Sequence, residues 1–547
     1  MRRSLGALAA LALVASACGG GDDESSDDAD TSDPVADTST GDADADTGDD
    51  SGDDTTDDSG APATDASGDD AFAPSGTLRV GVSTDVQSFD PATAAVAQEY
   101  YLHPIYDTLV HAETDGSYTG GLAETWDFPD RTTVVLNIRP DVVFSDGTPV
   151  DAAAVAANFE RGKTVEASPS SGFYANIDTV EVVDDMTVQL GLVNPTTSML
   201  DDLSRLPGMM MSPAAFEGDP GTNPIGAGGW TLDTGASNPG EVQVFQANPN
   251  YWDPGRVQVE TLELRFLEPD AATNALLGGQ IDLGELRSEA DISTFEGGDF
   301  EIISRPNANV WYMQIMDTDG TLLEPLSDVR VRQALNLAID REAFNEGLQF
   351  GNGDPSPSFW LPGTAYYDES LEEWAYDPER AMALLEEAGY ADGFSLTFPS
   401  FGAIVPVAES VQQMWAEIGV DVTVELVEPG TLAAVMRNGE TVMNPTIARG
   451  FTAESHYKER LAPGGPYDPI GTDRGDLPAL ADAAYQAETQ EEQEAAWREL
   501  YTYAIDQGYL MVIGHQIPRV VVTDGVEGAV LRPSDNIPQP LDISIDG

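Results

Sequence analysis

A guanidinium, an aromatic ring, a carboxylate and an imidazole fall within a few residues of one another in Ile447-Ala-Arg-Gly-Phe-Thr-Ala-Glu-Ser-His-Tyr457. Arg449 can clamp a carboxylate or phosphate in bidentate fashion. Glu454 is the only acid of the stretch and suits a desolvated ammonium group, because an unpaired buried charge costs several kcal/mol. Phe451 offers a flat face worth about 0.5–1.5 kcal/mol beyond burial to a ring of a ligand. This is recognition chemistry rather than bond-making chemistry. The chain has no Gly-x-Ser-x-Gly elbow, no phosphate-cradling loop with a lysine and no His-Glu-x-x-His. Its histidines, His103, His111, His456 and His515, lack metal-ligand spacing, so neither a metal nor a cofactor is expected. The 96 acidic residues make chance carboxylate pairs inevitable, which keeps a secreted hydrolase as the competing class but gives it no specific support.

The other chemically distinctive residue is Cys18, the single cysteine. Arg2 and Arg3, the apolar run Leu5 to Val14 and the small residues Ala15, Ser16 and Ala17 precede it, as in a bacterial secretion signal. The run is too short to cross a bilayer, which takes about 20 helical residues. A cleavage site ending on cysteine resembles the lipobox of bacterial lipoproteins, with Ala15 where that motif usually has leucine. The resemblance implies a signal peptide over 1–17 and a lipid on Cys18, holding the chain at the outer face of the cytoplasmic membrane. Dual acylation gives stable anchoring where one chain would not.

Residues 18–76 read as a tether of Asp, Ser, Thr, Gly and Ala with too little apolar surface to offset ordering entropy. Asp42, Asp44 and Asp46 have the look of a calcium loop, but the glycine comes one place late at Gly48 and Asp53 stands where glutamate is needed. The net charge is −72, and beyond the tether the body contains only two lysines, Lys163 and Lys458. Such a surface repels nucleic acid and anionic lipid, so a nucleic-acid partner is excluded.

The elements that must position these groups begin at Thr77, where Leu78, Val80 and Val82 alternate as a half-buried strand. Further strands are predicted at Thr133–Ile138, Thr179–Val183, Thr187–Leu192, Glu241–Gln246 and Thr261–Leu267, with a hairpin at Asp184-Asp185-Met186. Helices are predicted after the cap Asp151, over Asp328 to Glu342 with an Asp328–Arg332 pair, from Asp377-Pro378-Glu379 to Gly389, and over Val407 to Ile418. Val420 to Leu426 follows as a strand, a helix-strand unit of an α/β lobe. The roughly 470 residues after Gly76 exceed what one hydrophobic core supports, so at least two lobes are expected.

Seven blocks resemble, in order, those of the solute-binding proteins of peptide-type ABC importers, family 5. They are Gly121 to Trp126, Phe144 to Asp151 continuing through Asn158 to Arg161, Asn223 to Gly226, Asn248 to Trp252, Gly279 to Asp282, Asp328 to Glu342, and Tyr376 to Gly389. The resemblance implies a two-lobed α/β fold of the periplasmic-binding-protein kind (type II, cluster C), with an extra small domain inserted in the first lobe. Lobe I would comprise 77–107, 220–309 and 515–547, the insertion 108–219, and lobe II 310–514, with Asn309 to Tyr312 at the crossover. It also implies a monomeric, non-enzymatic receptor that closes on a small ligand and delivers it to permease subunits. Expected ligand contacts are Phe89 and Tyr101 from the first lobe, and Trp311, Phe359, Arg449, Phe451, Glu454 and His456 from the second. Peptide-binding relatives show a tryptophan and an Asp-Pro near 451–456. Here Phe451 and Glu454 stand closest, so a short peptide is favoured over an oligosaccharide or an opine-like conjugate. A surface sensor without a transporter is a third reading.

Overall fold

In the computed structural model the described residues are 73–165, 168–268, 271–286, 289–305, 309–428, 435–436, 438–449, 452–465, 467–468, 471–533, 535 and 537–546. Cys18, the leader, most of the tether and Phe451 lie outside them. From Asp70 onward the chain forms one compact unit.

Leu78, Val80 and Val82 are buried on the strand Thr77–Val82. That strand lies at the centre of a seven-stranded mixed sheet. Its order is Phe300–Ser304, Arg519–Thr523, Leu283–Leu286, Thr77–Val82, Thr261–Phe266, Val242–Ala247, Trp230–Leu232. Thr77–Val82 runs parallel to both its neighbours. Arg79 fastens it further: its backbone N–H and its Nε both donate to Asp282, at 2.8 and 2.9 Å. Three distant parts of the chain therefore share one sheet.

The segment between Thr108 and Met210 builds a separate antiparallel sheet ordered Ala123–Asp130, Thr133–Ile138, Thr187–Leu192, Ile177–Asp184. The last two strands form the expected hairpin. Asp151 caps the helix Ala152–Gly162 by accepting from the Ala154 N–H at 2.8 Å, and Val155 and Phe159 face the core. At the boundary with the larger sheet, Leu206, Met209, Met211 and Ala215 pack with the seven-stranded sheet while Met210 packs with the four-stranded one.

The chain then crosses to a three-stranded sheet, Met443–Ala448, Asn309–Ile315, Leu510–Gln516. It returns beside its outward path: the Arg305 N–H donates to Pro518 O at 2.9 Å. A register shift falls between Trp311 and Tyr312 on this side of the crossing. Phe394–Ser400, the helix Val405–Ala416 and Val420–Leu426 form the predicted α/β unit, the two strands pairing in parallel.

Two sequence expectations need correction. The helix foreseen over Asp328 to Glu342 is two helices, Val329–Leu337 and Arg341–Leu348, because Asp340 turns out of the first and caps the second. The expected Asp328–Arg332 pair gives way to another: Arg330 donates through Nε to the Asp328 carboxylate at 3.0 Å. Arg332 instead turns inward and donates to Leu326 O at 2.7 Å and Gln507 O at 2.8 Å. The core demands satisfied backbone carbonyls there, and a guanidinium with several donors meets that demand better than a surface pairing does.

Candidate functional site

The segment holding Glu454 and His456 folds as a short helix, Ala453–His456, started by a capping box between Thr452 and Ser455. It continues as a π-helical turn, Tyr457–Leu461. His456 is fully buried. Its Nδ1 lies 2.9 Å from the Tyr501 hydroxyl and its Nε2 lies 3.0 Å from the Tyr312 hydroxyl. Tyr501 donates its own proton to Ala453 O at 2.9 Å, so its oxygen accepts from Nδ1–H and Nε2 accepts from Tyr312. That assigns a neutral imidazole. Burial first, and Arg460 second, push its pKa well below the ordinary value, in keeping with this tautomer. Phe359 sits 4.5 Å from the imidazole centroid and stacks on Tyr501 at 5.1 Å. Trp360 and Tyr366 extend the aromatic layer, their rings 5.0 Å apart.

Glu454 reaches away from this layer, towards residues 196–198. Its carboxylate accepts from Thr196 Oγ1 at 3.0 Å, Thr197 Oγ1 at 2.6 Å and the Ser198 N–H at 2.9 Å. The Thr197 N–H and Lys458 Nζ complete its surroundings. The residue is 1% exposed. Both oxygens are thus engaged by the protein itself, and the ammonium role foreseen for Glu454 has no oxygen left over in this arrangement.

A second charged group gathers beside it. Ser198 Oγ donates to Asp202 at 2.9 Å. Arg205 pairs with Glu99 at 3.0 Å, and the Leu206 N–H donates to the same carboxylate. Burial alone would raise the Glu99 carboxyl, but Arg205 holds it below its ordinary value. Asp201 and Asp202 behave oppositely. Burial raises Asp201 against the pull of Arg205, and burial with Asp201 and Glu454 pushes Asp202 up to about 7. Both are only partly buried by surface, yet desolvation dominates.

Arginines meet at the crossover. Arg305 donates to Asn309 Oδ1 at 2.6 Å and to Asp535 O at 3.3 Å. Val310 pairs with Ala448, so Arg449 follows directly on the strand that runs beside Asn309. Burial is the main cause that brings the Arg305 guanidinium down to about 10, with Asp535 opposing and Arg449 and Arg205 adding to it. Arg449 and Arg205 therefore each lie within electrostatic reach of Arg305, in a chain poor in cations.

Of the residues singled out by sequence, Phe359 and His456 come together, Glu454 turns away to residues 196–198, and Trp311 is partly buried against the same core as Phe359. Arg449 is exposed at the end of its strand. Phe89 and Tyr101 meet edge-on at 6.5 Å inside the core of the seven-stranded sheet. Sequence reasoning missed Glu99, Asp201, Asp202, Arg205 and Arg305. The only signal was the pair of acids between apolar neighbours in Met199-Leu-Asp-Asp-Leu203, with an arginine two residues on. Among the described residues no cluster of three or more His, Cys, Asp or Glu could hold a metal ion.

Residues 117–452 match the family described as bacterial extracellular solute-binding proteins, family 5 (middle). The chain is 29% identical over 371 residues to the glutathione-binding protein GsiB of Salmonella typhimurium, across 65% of this chain and 70% of that protein. The fold is similar to that of the ABC transporter-associated periplasmic binding protein DppA of Helicobacter pylori in complex with the peptide STSA. That similarity has a TM-score of 0.72 and 20% identity, over 87% of this chain and 99% of the other. It is also similar to NikA of Brucella suis in complex with Fe(III)-EDTA, with a TM-score of 0.75 and 22% identity, over 86% of this chain and all (100%) of the other. With a mixed sheet on one side of a double crossover, an antiparallel one on the other, and the match spanning well over half its length, the chain belongs to family 5 of the bacterial extracellular solute-binding proteins, two-lobed receptors that deliver a solute to an ABC importer.

Proposed function

We propose that the cargo is a short peptide or a similar small zwitterion, gripped between charges of opposite sign as the lobes close. The observation that carries this is the presence of two unlike charged groups in the folded chain. The first group is Asp201 and Asp202, carboxyls raised by burial and without enough cations nearby. The second group is Arg305 and Arg449 at the crossover. A ligand ammonium would relieve the first and a ligand carboxylate the second, and each charge-assisted hydrogen bond contributes about 1.5–3 kcal/mol. Relatives named for glutathione and for peptides support the reading.

The lobes proposed are 77–107 with 220–309 and 515–547, and 310–514, with 108–219 as the inserted module. A monomer held at the outer face of the membrane by lipid on Cys18 would present them to permease subunits. Calorimetry with reduced glutathione, a dipeptide and an uncharged oligosaccharide tests the cargo. Arg449→Gln and Asp201→Asn should each weaken binding of the zwitterion by at least tenfold, which is about 1.4 kcal/mol. Tight binding of the oligosaccharide alone, or unchanged peptide affinity in both variants, would refute it.

A further inference from the structure

We propose that the inserted module is a second docking face for the second lobe, and that Glu454 is the latch between them. The proposal rests on the two-lobed reading but not on the identity of the cargo. Thr196, Thr197 and Ser198 lead into the helix Met199–Leu203, whose Met199 and Leu203 pack in the core of the four-stranded sheet. Glu454 belongs to the segment of Ala453 and Tyr457, which pack in the core of the three-stranded sheet. The two segments meet only by folding, some 250 residues apart in sequence.

The module is built so that something from outside must satisfy it. Ser198 stands at the N-cap of its helix, yet its side chain makes no cap hydrogen bond and donates instead to Asp202. The backbone N–H groups that open a helix have no partner within it. The Ser198 N–H at the cap is taken up by the Glu454 carboxylate, together with the Thr197 N–H just before it and the Thr196 and Thr197 hydroxyls.

Glu454, for its part, is almost wholly removed from water, and a buried carboxylate is tolerable only when well supplied with donors. One of the two lysines in the chain, Lys458, is placed on it. Contacts on either side of the latch repeat the same pairing of surfaces. Trp497 Nε1 donates to Thr197 Oγ1 at 3.3 Å, and Arg131 donates to Tyr485 O at 2.5 Å and to Gln486 O. The module is thereby gripped by the helices Leu477–Gln486 and Gln490–Asp506 as well as by the segment that carries Arg449 and His456.

If this contact is a latch, it opens without unfolding either side. Hydrogen exchange of the Thr197 and Ser198 amides reads its opening, because Glu454 accepts from both, and the Ser198 N–H has besides it only the longer bond to Thr196 Oγ1 at 3.3 Å. In the purified full-length protein these amides should be protected. Glu454→Gln, whose amide turns donors towards donors, should speed their exchange at least tenfold while the strands Thr133–Ile138 and Leu510–Gln516 keep their protection. Thr197→Val, which changes no residue of the second lobe but removes the hydroxyl that Glu454 and Trp497 Nε1 share, should speed the Ser198 amide in the same way. The double variant should go little beyond the faster single, since both break one contact.

Wild-type amides that exchange as if unprotected would overturn the proposal. So would unchanged exchange in both variants, or acceleration that spreads to the core strands, which would make Glu454 a folding residue instead. Because no ligand is added, a wrong cargo leaves every one of these results as it is.

Discussion

Asp202→Asn offers the sharpest test of the electrostatics at the charged group. Burial pushes the Asp202 carboxyl up to about 7 in the folded protein, from an ordinary value of 3.8. Burial is the first cause, followed by Asp201 and Glu454, while the hydrogen bond from Ser198 works the other way. Below pH 3.8 the group is protonated in both folded and unfolded chains and contributes nothing. Between the two values the folded state holds a proton that the unfolded state has lost, so stability falls as pH rises, by about 1.4 kcal/mol per pH unit for this one group. Above about 7 the penalty is complete, at most about 4 kcal/mol. Asparagine cannot ionise and keeps the acceptor for Ser198.

The difference in unfolding free energy between variant and wild type should therefore grow by about 2–3 kcal/mol from pH 5 to pH 8, in favour of the variant. Urea denaturation at the two pH values measures it, and subtracting one protein from the other removes the titration of groups they share. Asp201, Glu454 and Arg205 are the charged neighbours whose coupling could redistribute the effect. A difference that is the same at both pH values would refute the reasoning.

Two further substitutions probe other parts of the chain. Arg341 is buried without a carboxylate, donating to Val512 O at 3.0 Å, Trp374 O at 3.0 Å and Asn336 Oδ1 at 2.7 Å, and burial brings its pKa down to about 9. Arg341→Met should leave those acceptors unsatisfied and lower stability by about 2–4 kcal/mol, read by urea denaturation. Cys18→Ala should move the protein from the membrane fraction to the soluble fraction, and an unchanged membrane share would refute lipid anchoring.

Much of the fold was legible because its edges follow local rules. Leu78, Val80 and Val82 alternate, Asp151 and Asp377 cap their helices, and Gly389 and Gly419 stop theirs with φ of 91° and 83°. The central three-stranded sheet was harder to read. Met443–Ala448 and Leu510–Gln516 are buried along nearly their whole length, so they show no alternation to announce a strand. The long helix Gln490–Asp506 does carry a signal, the capping box of Thr489 and Glu492, which the sequence reading passed over. The site was less legible than the fold. Glu454 and His456 stood out by residue type, but their roles depend on partners far away in sequence: residues 196–198 for one, Tyr312 and Tyr501 for the other. Spacing along the chain carries no trace of such pairings.

The distribution of the scarce cations ties these observations together. With 24 Lys and Arg against 96 Asp and Glu, most acids must go without a basic partner, so where the cations are placed is informative. Several sit on buried or half-buried carboxylates: Arg79 on Asp282, Arg161 on Asp90, Arg205 on Glu99, Lys458 on Glu454, and Arg474 on Asp468. Exposed acids can be left to solvent and salt, because water already screens them. Asp201 and Asp202 break the pattern. They are desolvated, they repel each other, and the nearest guanidinium, Arg205, is already committed to Glu99. Their charge is stabilised less than that of the other buried acids. A cationic group arriving from outside would gain most at this point, which is why the ammonium end of the cargo is assigned to Asp201 and Asp202 rather than to Glu454, whose carboxylate the inserted module already satisfies.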